Sequence, residues 1–157
     1  MAQTDYLHDT GHFTSGDGLQ LFYQYWRPRK NEKGVLVVAH GLGEHSGRYL
    51  NLVNKLVPNS WAIFALDHRG HGRSRGKRGH IDAFKQYVDD LDTFIDLVKS
   101  KSTAPLFLFG HSMGGLIALS YAIVHPDKIK GVITSSAALK LAVEIPKWKE
   151  ALGKFMN

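Results

Sequence analysis

One serine in this chain stands where a serine can act as a nucleophile. Gly110-His111-Ser112-Met113-Gly114 has the spacing G-x-S-x-G. It lies between Leu106–Phe109, an apolar run that reads as a strand, and Gly114–Val124, a small-residue apolar segment that reads as a helix. A strand turning sharply into a helix forces the serine between them into a strained backbone. Glycine two residues to either side removes the Cβ that would otherwise collide. Ser112 Oγ then projects past the carboxyl end of the sheet, facing the free N–H groups and positive dipole end of the helix. The competing reading is a glycine-rich turn with an incidental serine.

Acyl transfer through such a serine also needs donors waiting for the oxyanion of the tetrahedral intermediate. His40-Gly41-Leu42-Gly43 follows the run Val35–Ala39 and opens at the same sheet end, because loops after parallel strands all do. The backbone N–H groups of Leu42 and Met113 are the expected donors. His40, Gly41, Gly43, Gly110, His111 and Gly114 are expected to support them. The alternative for this segment is a plain strand-to-helix turn. A third loop, Asp67–Ser74 with His68, Arg69, His71 and Arg73, opens at the same end after Trp61–Leu66. We read it as hydrogen-bonding to its neighbours through Arg69 and its histidines, rather than as a metal site. No metal and no cofactor is expected. The basic residues from Arg69 to Arg78 lack the interleaved aromatics that stack bases, so no nucleic-acid partner is expected either.

The elements that must position these residues follow from periodicity. Residues 1–10 read as a loose arm, and Gly16-Asp17-Gly18 as a hairpin turn between a short strand near Gly11–Ser15 and an alternating strand, Leu19–Tyr25. Val35–Ala39 has no polar face, as expected of a strand buried on both sides. Tyr49–Leu56 and Ile81–Val98 have helical spacing, and Ile129–Thr134 reads as the last strand. Strand and helix alternate, which predicts an α/β fold with a doubly wound, mostly parallel sheet. The stretch Ser135–Asn157 interleaves apolar residues with lysines, as an amphipathic helix does.

Composition narrows the class further. The chain has 157 residues, 43% hydrophobic and 22% charged, with 8 Phe, 6 Tyr and 3 Trp, too aromatic for a disordered chain. It has no cysteine, which excludes disulfide scaffolds, thiolate metal sites and thiol catalysis together. Its longest apolar run, Trp61–Leu66, is far short of the roughly 20 residues a spanning helix needs. A cytoplasmic protein is expected. Its net charge of +6 suits acidic partners, and equally suits simple solubility.

With the motifs in hand, the chain resembles the monoacylglycerol lipase and lysophospholipase group of α/β-hydrolases, of the serine aminopeptidase S33 type. The resemblance is carried by His40–Tyr49, by Asp67–Ser74 with Gly76 and Arg78-Gly79-His80, and by Gly110–Gly115, and extends from Gly11 to Leu141. It implies a serine hydrolase acting on lipid esters of long-chain acids under a helical cap that makes a peripheral membrane contact. Residues 1–138 would be the hydrolase core and 139–157 the start of the cap. The family places its acid and base histidine well beyond the serine. Only 45 residues follow Ser112 here, and His125 is the only histidine among them. The length of the intervening helix puts His125 about 17–20 Å away. Acid and base are therefore expected outside this chain, which reads as the amino-terminal part of a longer hydrolase. Its last strand is then a sheet edge that invites association. Rival expectations are a peptidase or small-ester esterase of the same fold, and a non-catalytic lipid-binding short form.

Overall fold

The computed structural model describes residues 6–139. Six strands form one sheet: β1 (Tyr6–Thr14), β2 (Gln20–Pro28), β3 (Gly34–Ala39), β4 (Trp61–Leu66), β5 (Leu106–His111) and β6 (Gly131–Ser135). The helices are α1 (Leu50–Leu56), α2 (Lys85–Lys101) and α3 (Met113–Val124). The strand order is β1-β2-β4-β3-β5-β6, with β1 and β2 antiparallel and the remaining four parallel.

The absence of a polar face in β3 has the expected consequence: all six of its residues are buried. Val35 and Val37 pack with Ala62, Phe64 and Leu66 of β4 under Leu91, Phe94, Ile117 and Tyr121 of α2 and α3. Leu36 and Val38 face the other way, with Ile63 and Ala65, onto Val53 of α1 and the neighbouring Tyr49 and Val57. Helices therefore cover both faces of the sheet, and strand alternation assigns each side chain to one layer or the other.

This winding creates a crevice. From β3 the chain leaves through α1 on one face, and from β5 it leaves through α3 on the opposite face. β3 and β5 are neighbours, with Ala39 paired to Gly110. The loops after them thus part company at the carboxyl edge, the kind of switch point where open α/β sheets hold ligands.

The structure corrects three boundaries. Residues 6–10 do not form a loose arm but extend β1 to nine residues, paired with β2 from Tyr6↔Pro28 to Thr14↔Gln20. Four successive residues of this strand, Leu7–Thr10, are exposed, so no apolar alternation marks it. The ladder and the stacking of His8 on Trp26, at 4.8 Å, hold it instead. The long helix begins at Lys85 rather than Ile81, because Gln86 Oε1 accepts from the N–H groups of Asp82 and Ala83 and halts the helix there. The first turn before α1 is a 3-10 turn, Ser46–Tyr49. β6 lies at the sheet edge, with Ile133 exposed. Of the expected cap start, only Leu139 lies among the described residues.

One buried ion pair ties the loop after β4 to this frame. Arg69 donates in bidentate fashion to Asp90 of α2, at 2.6 and 2.7 Å, and reaches Asp17 in the β1–β2 turn at 2.8 Å. Asp90 is 1% exposed. Arg69→Met would strand that carboxylate, and a loss of about 3–5 kcal/mol is expected in urea unfolding. Arg69→Met combined with Asp90→Leu should recover most of the loss.

Candidate active site

Ser112 sits at the junction of β5 and α3 with φ 52° and ψ −116°, a left-handed conformation that costs a non-glycine residue about 1–3 kcal/mol. The surroundings hold it there. Its N–H donates to Ser135 O at 2.9 Å, and its carbonyl accepts from the N–H groups of Gly115, Leu116 and Ala138 at 2.9, 3.2 and 3.1 Å. Serine at a helix N-cap ordinarily turns its hydroxyl back onto the first-turn amides. Ser112 makes no such side-chain cap bond, so its hydroxyl is not tied to the helix it begins.

The flanking glycines are required by contact. A Cβ on Gly114 would lie 2.0 Å from Ala39 O and 2.6 Å from His40 O, so the first turn of α3 rests on the last carbonyls of β3. A Cβ on Gly41 would lie 3.4 Å from Ser112 Cβ and 3.3 Å from His111 Cδ2. The His40–Gly43 loop and the serine are therefore direct neighbours. Among the described residues, the N–H groups of Leu42 and Met113 donate to no acceptor.

His40 lies beneath this arrangement, fully buried, with both ring nitrogens occupied. Nδ1 donates to Gly41 O at 2.7 Å, and Nε2 accepts from the His68 N–H at 2.9 Å, which defines the neutral tautomer. Burial pushes its pKa down to about 4, against the opposing pull of the Gly41 carbonyl. His40 therefore braces the loop and is not available as a base. Its ring lies 4.3 Å from that of His68 and 5.4 Å from that of His71. His68 has no partner for either ring nitrogen, and burial pushes its pKa well down. His71 Nδ1 lies 3.0 Å from Arg69 O. Asp67 accepts from the N–H groups of Ser46 and Arg73, at 2.6 and 2.8 Å. The expectation that this loop bonds its neighbours holds for Arg69, whose side chain reaches Asp90 and Asp17, but not for its histidines: the His68 ring nitrogens have no partner among the described residues, and His71 bonds within the loop.

Glu44 was missed in the sequence. Its Oε2 accepts from the Gly41 N–H at 3.1 Å and from the Tyr49 hydroxyl at 2.8 Å, while its own N–H donates to Gly41 O at 3.2 Å. Burial alone would raise its pKa, but the Tyr49 and Gly41 donors hold it below the usual carboxylate value. The turn from Gly41 to Glu44 orients the peptide just before Leu42. A carboxylate three residues after a loop glycine, with a tyrosine five further on, was the available signal. Of the other histidines, His111 Nδ1 faces Ser135 O at 3.1 Å and His45 Nδ1 accepts from the Gly47 N–H. His125 lies at the opposite end of α3, its ring 4.8 Å from that of Tyr121. No described imidazole bonds to the Ser112 hydroxyl.

Comparison with known proteins gives the family and the fold. Residues 30–157 match the Hydrolase_4 family, described as serine aminopeptidase, S33. The chain belongs to this family. It is 40% identical over 129 residues to the human monoglyceride lipase, covering 82% of this chain and 43% of that protein. It is 36% identical over 128 residues to the monoacylglycerol lipase of Mycolicibacterium smegmatis, covering 81% of this chain and 46% of that one. The solved monoacylglycerol lipase of Paleococcus ferrophilus superposes with a TM-score of 0.68 at 36% identity, over 96% of this chain and 51% of that one. The fold is that of the α/β-hydrolases, and the chain spans about half the length of the relatives it matches.

The buried histidines make this loop brace acid-sensitive. His40 binds its proton near pH 6.5 when unfolded and near 4 when folded, so the unfolded chain takes up more protons in that window. Stability should be full above about pH 6.5 and fall toward pH 4, by on the order of 3 kcal/mol from His40 alone. His68, lowered in the same sense, adds to the slope. Urea midpoints measured across this range should decline, and should decline less steeply in His68→Phe, which removes an unpartnered buried ring without touching the backbone bond to His40.

Proposed function

We propose that this chain carries the nucleophile and oxyanion half of a serine hydrolase that cleaves long-chain acyl esters, of the monoacylglycerol or lysophospholipid type. Ser112 Oγ attacks the ester carbonyl carbon and loses its proton to a general base. The carbonyl oxygen becomes an oxyanion that accepts from the Leu42 and Met113 N–H groups. Collapse expels the alcohol, which takes up a proton, and leaves an acyl-serine ester that water cleaves. His40, Gly41, Gly43, Gly110, His111 and Gly114 act through the geometry described, and Glu44 positions the loop. The acid and base are assigned to residues outside those described.

The observation that carries this reading is the strained, uncapped Ser112 beside two amides without acceptors. Backbone strain at a non-glycine residue persists only when its surroundings over-determine it, and it concentrates at reactive sites. The lipid-ester substrate comes by analogy from the relatives, whose names specify monoglycerides, and a shared fold alone does not fix it. Residues 1–138 would form the core and 139 onward would begin a cap.

Intact mass after exposure to a fluorophosphonate tests the nucleophile. Where a base is supplied by the rest of the hydrolase, one adduct on the wild-type protein and none on Ser112→Ala is the expected result. Folded protein that stays unlabelled with the base supplied would overturn the assignment. Where a base is supplied, loss of one oxyanion donor should lower kcat by ~10²–10³. Monoacylglycerols should then outcompete short acetyl esters, and the reverse order would favour a small-ester esterase of the same fold.

A further inference from the structure

The loop after β4 holds more positive charge than its structural role uses. Arg69 is matched by Asp90 and Asp17. Arg73, Arg75 and Arg78 are exposed, and none pairs with a carboxylate among the described residues. The fold holds them in place. Arg75 N–H donates to Gln20 O at 3.0 Å, while Arg75 O accepts from the Gly70 N–H at 2.9 Å. The Arg73 guanidinium lies 4.0 Å above the Phe22 ring, and Arg78 Nη1 donates to Gly72 O at 2.8 Å. With His12 of β1 they line an open concavity of about 740 Å³ that has no carboxylate in its walls.

Position adds to charge. The loop leaves the carboxyl end of β4, and Gln20 opens the antiparallel β2, so the concavity lies on the same edge of the sheet as Ser112. β2 and β5 are three strand steps apart, about 15 Å at the usual spacing. At the opposite end of the sheet, Lys99 and Lys101 occupy the last turn of α2, where they meet the negative end of the helix dipole, and Arg27 pairs with Glu32. At the carboxyl edge Arg48 pairs with Glu44 and Arg69 with Asp90, whereas Arg73, Arg75 and Arg78 meet no carboxylate among the described residues.

We infer that the Arg73–Arg75–Arg78 concavity is a docking surface for an anionic phospholipid bilayer, one that sets the edge carrying Ser112 against the lipid. Guanidinium groups match phosphate oxygens in a bidentate manner, and three on one wall suit an array of headgroups. The inference builds on the lipid-ester reading of the site. A nucleic acid is the weaker fit, because Phe22, the phenyl ring at the patch, is 1% exposed beneath Arg73 and offers no face to a base.

Vesicle sedimentation with the Ser112→Ala chain tests this without turnover of the probe. Phosphatidylcholine vesicles containing phosphatidylglycerol should bind the chain, and pure phosphatidylcholine should not, with binding weakening at high salt. Arg75→Glu, whose side chain pairs with no carboxylate among the described residues, should bind several-fold more weakly. Arg73→Gln, Arg75→Gln and Arg78→Gln together should lose on the order of a hundredfold, at about fivefold for each charge near the surface. Lys99→Gln with Lys101→Gln should bind as the parent does. Equal losses in that pair, no loss in the triple variant, or binding to duplex DNA without binding to vesicles would each overturn the docking surface. Fluorophosphonate labelling of wild-type Ser112 reads the catalytic assignment separately: a labelled chain that ignores anionic vesicles overturns only the docking surface.

Discussion

The first turn of α3 rests on the end of β3, and the rest of the site depends on that contact. A Cβ on Gly114 would lie 2.0 Å from the Ala39 carbonyl oxygen and 2.6 Å from that of His40, and the helix starts immediately after Ser112. The chain cannot pass from β5 into a helix so close to the sheet without an abrupt reversal, and the reversal falls on the serine. Four backbone hydrogen bonds at Ser112 then offset a conformation that costs about 1–3 kcal/mol in isolation. The same contact draws Gly41 against Ser112 Cβ. One steric constraint thus sets both the strain at Ser112 and the close approach of Gly41 to it.

The loops at this edge are braced from below by groups that must remain neutral or fully paired. His40 links the Gly41 carbonyl to the His68 amide across two loops, and it can do so only as the neutral Nδ1-protonated tautomer. Asp67 gathers the Ser46 and Arg73 amides, and Ser74 Oγ both donates to Asp67 O and accepts from the Phe22 N–H. These bonds fix β3, β4 and β2 loop ends against one another, which suits a site that must hold donors in position before charge develops. They also take His40 and Asp67 out of contention for proton transfer or metal binding. Polar residues that look catalytic in the sequence are here the frame.

The parts legible in the sequence were those with strong local physics. Unbroken apolar runs gave β3 and β4 because burial on both faces leaves no other composition, and the G-x-S-x-G spacing located the elbow because the turn admits little else. β1 was illegible over residues 6–10 because its side chains are mostly exposed and its pairing is with a partner strand, not with its own period. The start of α2 was misplaced since Ile81 packs against the core like a helical residue while Gln86 caps the chain after it. Glu44 was invisible for a related reason: its importance lies in accepting one amide and one hydroxyl, a pattern that spacing alone barely marks.

What remains is a division of labour along the sheet. β3 and β5 carry the proposed site, while the loop after β4, with the start of β2 beside it, carries arginines that meet no carboxylate among the described residues on the same edge. Catalysis at a lipid ester requires both that the reacting atoms be aligned and that the protein meet the lipid in the right orientation, and these demands conflict if met by the same residues. Alignment needs dry, neutral, rigid surroundings, as around His40. Attraction to an anionic surface needs exposed charge kept away from the oxyanion's donors, since a guanidinium beside them would bind the ground-state headgroup as readily as the developing charge. The three strand steps from β2 to β5 keep the proposed docking arginines apart from Ser112, and the parallel strands, all ending at one edge, give both a common direction.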